Sequence, residues 1–177
     1  MIGMNTLSGG DISWMLEEGV EYNQLNFFKY PTKAEFKSSN INIIYLGWFM
    51  GDWDFLTNGR TSLSYGLTPR IDDPSLTGDP SGVSSLDEDW VIFNQMIKYY
   101  KYGFGKTTEF VNEQIRIGTM SRLEAIGIVR EFDGKCDAKF IDSFCKYIEI
   151  QSSEFWSVVD ANVNKALFSK GDGIGVY

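Results

Sequence analysis

Hydrophobic residues recur at helical spacing through the second half of the chain. Residues 87–101 carry apolar side chains at positions that share one helix face, which predicts a helix with that face turned inward. Later segments repeat this spacing. The predicted inward faces are Trp90, Phe93, Ile97 and Tyr100; Leu123, Ile126, Val129 and Phe132; Phe140, Ile141, Phe144, Cys145 and Ile148; and Phe155, Val159, Val163 and Leu167. Residues 106–117 also predict a helix, but with too few apolar positions for packing alone to explain it.

Capping signals mark the ends of several of these helices. Thr32 with Glu35, and Ser121 with Glu124, have the spacing of a capping box, in which both side chains satisfy free backbone amides. Other expected starts are Asp52 or Asp54, Asp137, and Ser152 or Ser153, a short helix is expected near residues 13–18, and the expected glycine stops are Gly66 and Gly134. The signals therefore predict a chain that is mainly helical.

Two segments depart from the helical pattern. Residues 41–47, INIIYLG, are rich in β-branched and aromatic side chains and predict a buried strand. No second strand of similar quality is found, so a weaker strand, another chain or a missing part of this one must pair with it. Residues 67–85 hold three of the four prolines and predict a long loop. The predicted fold is mainly α, of the α+β class, with a strand-containing segment at 1–85 and a helical domain at 86–170.

Composition narrows the range of functions. A net charge of -8 argues against a general nucleic-acid or anionic-membrane surface. The chain has no histidine, which excludes Ser–His and Cys–His nucleophilic pairs and most catalytic zinc sites. Cys136 and Cys145 are interpreted as free thiols in a reducing compartment. No apolar run reaches membrane-spanning length, so we expect a cytoplasmic protein. Because the chain has no histidine, we also expect no metal site.

A glycine turn precedes the polar helix. A P-loop would need glycine where Tyr100 stands and a strand before the turn, so the Walker pattern is not met. A helix N-terminus beside a lysine can still hold a phosphate or carboxylate. The alternative is a helix–helix corner in which the glycines allow close approach. The candidate ligand residues here are Gly103, Phe104, Gly105, Lys106, Thr108 and Arg116.

Trp53 and Asp54 form a second candidate site. They follow the predicted strand, and ligands of open α/β sheets bind just past the carboxyl ends of strands. The alternative for Asp54 is a plain helix N-cap. The aromatic run at residues 99–104 is interpreted as core or interface, with a stacking platform for a sugar or base as the alternative.

Three blocks within residues 30–165 occur in the order found in a known enzyme family. They are IIYLGWFMGDWD, YYKYGFGKTTEFVNEQIRIGTMSRLEAI and VREFDGKCDAKFIDSFCKYIEIQSSEFWSVVD. Together they resemble the C-terminal half of the N-acetyl sugar amidotransferases, a PP-loop ATPase family of surface-polysaccharide biosynthesis. The second block is the most specific of the three.

The resemblance implies a reaction and a set of partners. In this family ATP, with Mg²⁺, adenylylates the oxygen of an N-acetyl group on a sugar. Ammonia from a class I glutaminase subunit then displaces AMP and leaves an acetamidino group. The implied substrate is a nucleotide sugar of lipopolysaccharide biosynthesis. The PP-loop half of the same enzyme is an implied partner, and residues 41–47 would extend its parallel sheet.

The chain departs from the family pattern in two ways. The ATP-binding SGGxDS loop is not found, and Ser8–Ser13 matches it incompletely. The family's Asp-His is Glu109 and Phe110 here, and its arginine is Lys106. We therefore expect a fragment or truncated product that binds no cofactor strongly and does not turn over ATP alone. The alternatives are a non-catalytic helical interaction module and a stand-alone small-molecule binder. Self-association is a further expectation.

Overall fold

A computed structural model describes residues 13–26, 31–40, 42, 44–51, 53–172 and 175 of the chain. The helices in these residues are α1 Ser13–Glu17, α2 Lys33–Ser38, α3 Phe55–Ser64, α4 Pro74–Thr77, α5 Val91–Tyr102, α6 Lys106–Arg116, α7 Arg122–Phe132, α8 Ala138–Tyr147 and α9 Ser152–Asn162. Two 3-10 helices span Tyr22–Leu25 and Leu46–Phe49. The described residues contain no strand, and the prediction of a mainly α protein is confirmed. None of these helices is long and apolar enough to cross a membrane.

The chain divides into two compact units, Met1–Met50 and Gly51–Tyr177. In the first unit, α2 begins with the predicted capping box. The Thr32 amide donates to Glu35 Oε2 at 2.8 Å, and the Glu35 amide donates to Thr32 Oγ1 at 3.2 Å. The assignment of residues 1–85 to an α/β domain stays a prediction, although the division between units falls earlier in the chain.

The prediction of a strand at residues 41–47 is wrong for those of its residues that the structure describes. Residues 42, 44 and 45 have no regular structure, and Leu46 begins a 3-10 helix. Residues 41 and 43 lie outside the described chain. Ile44 is 66% exposed and Leu46 is 70% exposed. A strand needs a hydrogen-bonding neighbour, and the described residues supply none.

The hydrophobic core lies in the second unit, between α5, α8 and α9. Its buried members are Phe93, Met96, Ile141, Cys145, Phe155, Val159 and Val163. The Phe93 ring packs against Phe144 at 4.6 Å and edge-on against Phe155 at 5.7 Å, measured between ring centroids. The predicted inward face of α5 is confirmed, since Trp90, Ile97 and Tyr100 also pack against this core.

The predicted inward face of α7 is wrong in its first half. Leu123 is 82% exposed, whereas Ala125 is buried. The helix packs against α6 and α4 through the side that carries Ala125, and a small side chain lets the helix backbones approach closely. Only the half-buried Val129 and Phe132 of the predicted face share that side. Three further predicted positions are also exposed, namely Ile126, Ile148 and Leu167.

The segment at residues 67–85 is more ordered than a plain loop. It contains α4, whose N-cap Asp73 accepts a hydrogen bond from the Ser75 amide at 2.8 Å. The Asp137 amide donates to the Leu76 carbonyl at 2.8 Å, which ties α4 to the start of α8. Gly78 follows in a left-handed conformation with φ of 66°. The segment is thus held against the start of α8.

Candidate functional site

The N-terminus of α6 is bound by a carboxylate of the chain itself. Asp133 Oδ2 accepts a hydrogen bond from the Gly105 amide at 3.0 Å and from Thr108 Oγ1 at 2.5 Å. Its Oδ1 accepts from the Thr107 amide at 3.1 Å and the Thr108 amide at 3.4 Å. Asp133 is only 7% exposed. An internal anion therefore occupies the position at which a helix N-terminus would hold a phosphate.

Glycines allow this close arrangement. A Cβ at Gly105 would lie 2.8 Å from Asp133 Oδ1 and 3.4 Å from the Gln95 carbonyl oxygen. Gly134 has φ of 76°, and a Cβ there would lie 2.3 Å from the Tyr99 ring. The turn thus has the geometry of a helix–helix corner, the alternative that the sequence left open. A ligand role for Gly103, Gly105 and Thr108 stays a prediction.

Asp133 is the residue that the sequence analysis missed. The Asp-Gly pair at the end of α7 was used only for its glycine, as a helix stop. Its carboxylate meets the amide of Gly105, which lies 28 residues earlier. No local sequence pattern identifies a partner so distant in the chain.

The two predicted site segments meet where α3 begins. The Phe55 amide donates to Glu113 Oε1 of α6 at 3.2 Å. Lys106 Nζ lies 5.1 Å from the centroid of the Phe55 ring, a cation–π distance. Trp53 and Asp54, which directly precede Phe55, are therefore held near α6. Trp53 is 59% exposed and so presents a free aromatic surface.

Asp54 acts as the N-cap of α3. Its Oδ1 accepts a hydrogen bond from the Thr57 amide at 3.0 Å. Hydrogen bonding from the Thr57 side chain, and next from its backbone amide, lowers the pKa of the Asp54 carboxyl, because it favours the charged form. The cap alternative is confirmed for this residue, and α3 ends before Gly66 as the sequence predicted.

The remaining predicted residues are spread along α5 and α6. Phe104 lies beneath Lys98, whose Nζ is 4.8 Å from the ring centroid and forms an ion pair with Glu109. Arg116 is exposed in the last turn of α6, where a cation is favourable. Arg116 lies ten positions after Lys106, or about 15 Å along the helix axis. One phosphate cannot contact both cations, whereas an extended ligand can span them.

A polar cavity lies beside Lys106, and we term it the Lys106 cavity. It is lined by Arg70, Thr77, Asp79, Ser84, Ser85, Val91, Ile92, Gln95 and Lys106, with a volume of about 30 Å³. The Arg70 side chain is only 9% exposed, and it donates to Asp89 Oδ1 at 2.6 Å and to the Ser85 carbonyl at 3.3 Å. The loop at residues 67–85 thus supplies one wall and α5 supplies the other.

The nearby nucleophiles are held protonated at neutral pH. Burial raises the pKa of the Cys136 thiol to about 12, with a smaller contribution from Asp137. Burial also raises the pKa of the Tyr99 and Tyr100 phenols. In the part of the chain that is described, no group of His, Cys, Asp or Glu side chains is arranged to hold a metal ion.

Comparison with known proteins identifies one family. The model for "LPS biosynthesis protein WbpG-like, C-terminal domain" matches residues 79–177, which is more than half of the chain. The matched range contains α5 to α9, Asp133 and most of the lining of the Lys106 cavity. No curated protein matches the chain. No solved structure matches it either.

Proposed function

We propose, from the premise that this chain belongs to the WbpG-like C-terminal domain family of lipopolysaccharide biosynthesis proteins, that it is the substrate-side part of an N-acetyl sugar amidotransferase. The proposed reaction is ATP-dependent and converts an acetamido to an acetamidino group on a nucleotide sugar. The family supports lipopolysaccharide biosynthesis as the setting. The three sequence blocks support the reaction class.

The observation that carries the substrate role is the environment of Lys106. Its ammonium group has no carboxylate partner among the described residues, and it lies at a polar cavity and beside the Phe55 ring. The exposed indole of Trp53 adjoins Phe55 in the chain. A nucleotide sugar presents a negative diphosphate and flat or apolar ring faces, which lysine and aromatic side chains recognise.

The N-terminus of α6 is not an open site for ATP in this proposal. The amides at the N-terminus of α6 are bonded to Asp133, so they are not open to a triphosphate. In this proposal ATP with Mg²⁺ belongs to the PP-loop half of the enzyme, and ammonia to a class I glutaminase subunit. The part played by this chain is to bind the nucleotide sugar and orient its N-acetyl group.

A non-catalytic helical interaction module is the second candidate. The observation that favours it is the exposed apolar segment at residues 44–50, in which Trp48 is 87% exposed and Phe49 is 81% exposed. Consecutive large aromatic residues that are exposed are typical of a surface that contacts a partner. In the amidotransferase proposal, the same segment contacts the PP-loop half of the enzyme. Ligand binding therefore separates the two candidates.

The test is calorimetric titration of the chain with UDP-N-acetylglucosamine. Lys106→Ala should weaken binding by about fivefold or more, and Arg116→Ala combined with it should weaken binding further, because each removes a charge-assisted contact. Lys101→Ala is the matched control, since Lys101 is an exposed cation at the end of α5. The affinity of the Lys101→Ala variant for UDP-N-acetylglucosamine should stay within about twofold of the affinity of the parent chain.

Two results would contradict the proposal. One is an absence of binding by a folded parent chain, which would favour the interaction module. The other is an affinity that Lys106→Ala and Arg116→Ala leave unchanged while circular dichroism reports intact helices.

A further inference from the structure

Asp79 is a buried carboxylate at the Lys106 cavity, and it forms no ion pair among the described residues. It is only 8% exposed and lines the cavity. Its Oδ1 accepts hydrogen bonds from the Ser81 amide at 2.9 Å and from the Ser81 hydroxyl at 2.6 Å. These bonds fix the carboxylate in place but leave its other oxygen, Oδ2, without a partner in the described chain. Burying a carboxylate costs free energy unless its oxygens are hydrogen-bonded.

The Oδ2 atom of Asp79 is open to the cavity. Within the described chain, the polar side-chain atoms that are both closed to solvent and unpartnered belong to Gln95 and Gln114. The Oδ2 atom of Asp79 is not one of these, so solvent reaches it. Because Asp79 is almost entirely buried and lines the cavity, the cavity is the space from which this oxygen is reached. The cavity thus offers an acceptor that the chain itself does not use.

Two cationic side chains line the same cavity. Arg70 is already held by Asp89 Oδ1 at 2.6 Å and by the Ser85 carbonyl oxygen at 3.3 Å. Lys106 has no carboxylate partner among the described residues. The lining therefore carries one carboxylate and one ammonium group that do not pair with each other. A group that satisfies both must donate a hydrogen bond to the first and accept one from the second, which neither a metal ion nor a carboxylate can do.

The volume of the cavity limits the size of that group. About 30 Å³ accommodates roughly two water-sized groups. A hydroxyl group and the carbon atom that carries it fit this volume, whereas a phosphate or a whole sugar ring exceeds it. A hydroxyl group is also both a donor and an acceptor. The size and the charges of the cavity thus point to the same kind of occupant.

We propose that the Lys106 cavity binds a single hydroxyl group of a larger ligand, which donates to Asp79 Oδ2 and accepts from the Lys106 ammonium group. Asp79 is then a specificity-determining residue, because a ligand without this hydroxyl leaves the carboxylate unsatisfied. The identification of the hydroxyl as one carried by the sugar of a nucleotide sugar rests on the proposed function. The preference for a hydroxyl over an ion rests on the lining and volume of the cavity.

The first test uses methanol as the probe, with methylammonium as a cationic control of the same number of heavy atoms. Backbone amide signals are followed by NMR in the intact parent chain and in Asp79→Asn. Methanol should shift the signals of Asp79, Ser81 and Lys106 in the parent more than in the variant, and methylammonium should not. Equal shifts in the two chains, equal shifts by methylammonium, or signals that methanol leaves unmoved would overturn the proposal and indicate a cavity that holds water only.

The second test uses the nucleotide sugar. Asp79→Asn keeps an oxygen that can accept from Ser81, so the fold should be retained, and circular dichroism checks this. Its affinity for UDP-N-acetylglucosamine should fall by about tenfold, the effect of one lost hydrogen bond to a charged acceptor. Asp87→Asn is the matched control, since Asp87 is an exposed aspartate of the same region, and should stay within about twofold. Equal effects of the two substitutions would overturn the proposal.

Deoxy analogues identify the hydroxyl. Each of three analogues lacks one free hydroxyl of the N-acetylglucosamine unit, and one of them should bind the parent chain about tenfold more weakly than UDP-N-acetylglucosamine does. Asp79→Asn should bind that analogue and UDP-N-acetylglucosamine with affinities within about twofold of each other. Discrimination that Asp79→Asn retains, or a parent chain that binds all three analogues as well as the full sugar, would overturn the proposal.

These measurements separate the hydroxyl site from the proposed function. If methanol binds at Asp79 but the nucleotide sugar does not bind the parent chain, the hydroxyl site stands and the proposed function fails. If the nucleotide sugar binds and Asp79→Asn alters neither its affinity nor the methanol shifts, the proposed function stands and the hydroxyl site fails.

Discussion

The N-terminus of α6 and the Lys106 cavity adjoin each other but differ in how completely the chain satisfies their polar groups. At the helix N-terminus, Asp133 binds three backbone amides and one hydroxyl. At the cavity, Lys106 has no carboxylate partner among the described residues. The polar groups at the helix N-terminus are satisfied by internal hydrogen bonds, whereas the Lys106 ammonium group at the cavity has no carboxylate partner among the described residues.

This difference shows why a glycine turn before a helix is weak evidence for an anion site. The backbone amides are present in either case, and a carboxylate from elsewhere in the chain can take them. Ligand capacity lies where polar groups converge and stay unsatisfied. In this protein that place is the Lys106 cavity, beside the amides of the glycine turn.

The largest effect is expected from Asp133→Ala. The substitution leaves the buried amides of Gly105 and Thr107 without an acceptor, so the free energy of unfolding should fall by about 3 kcal/mol. Urea denaturation of the parent and the variant measures this difference. The matched control is Asp137→Ala, which removes an ordinary N-cap bonded to the Lys139 amide at 2.8 Å and should cost about 1 kcal/mol.

Equal losses for Asp133→Ala and Asp137→Ala would contradict the central role of Asp133. If Asp133→Ala does not fold, Asp133→Asn retains one acceptor oxygen and should give an intermediate loss, which keeps the comparison measurable.

A smaller effect is expected from Gly105→Ala. The new Cβ would lie 2.8 Å from Asp133 Oδ1, so the corner must open and stability should fall by about 2 kcal/mol. Gly127→Ala is the control, since the residue is inside α7 and a Cβ there would meet nothing within 4 Å beyond its chain neighbours and the backbone of its own helix. It should raise stability by about 1 kcal/mol. Thermal or urea unfolding that ranks the two variants the other way would contradict the corner geometry.

The smallest effect concerns the Cys136 thiol. Its pKa is raised from 9.0 to about 12 in the folded chain, so its contribution to stability is fully present below pH 9 and is lost as pH rises toward 12. At pH 8 iodoacetamide should label it far more than tenfold more slowly in the folded chain than in the unfolded chain, because the thiolate fraction falls by roughly a thousandfold and only part of this is offset by greater nucleophilicity. Peptide mapping by mass spectrometry reports Cys136 separately from Cys145, and equal labelling rates would contradict the raised pKa.

Local features of the fold were predictable from the sequence. The capping boxes at Thr32 and Ser121 and the cap at Asp54 depend on side chains within three residues, so the pattern and the structure agree. The α5 face was predictable for the same reason. Each of these depends on contacts that the periodicity of one helix defines.

The features that the sequence did not predict depend on distant partners. Leu123 and Ala125 lie on different sides of α7, and only the packing of α6 and α4 decides which side is buried. The pairing of Asp133 with Gly105 is of the same kind. The residues 44–47 have the side chains of a strand, but strand structure depends on a neighbour that the described chain does not supply.

The most direct test of the account is an NMR titration of the whole chain with UDP-N-acetylglucosamine, read at the backbone amides on both sides of the α6 corner. We expect shifts at Lys106, Gln95 and Arg70, while the amides of Gly105 and Thr107 keep their signals and their slow hydrogen exchange because Asp133 retains them. Chemical-shift changes and faster hydrogen exchange at Gly105 and Thr107, without changes at the cavity residues, would contradict this interpretation. They would indicate that the ligand binds at the helix N-terminus instead.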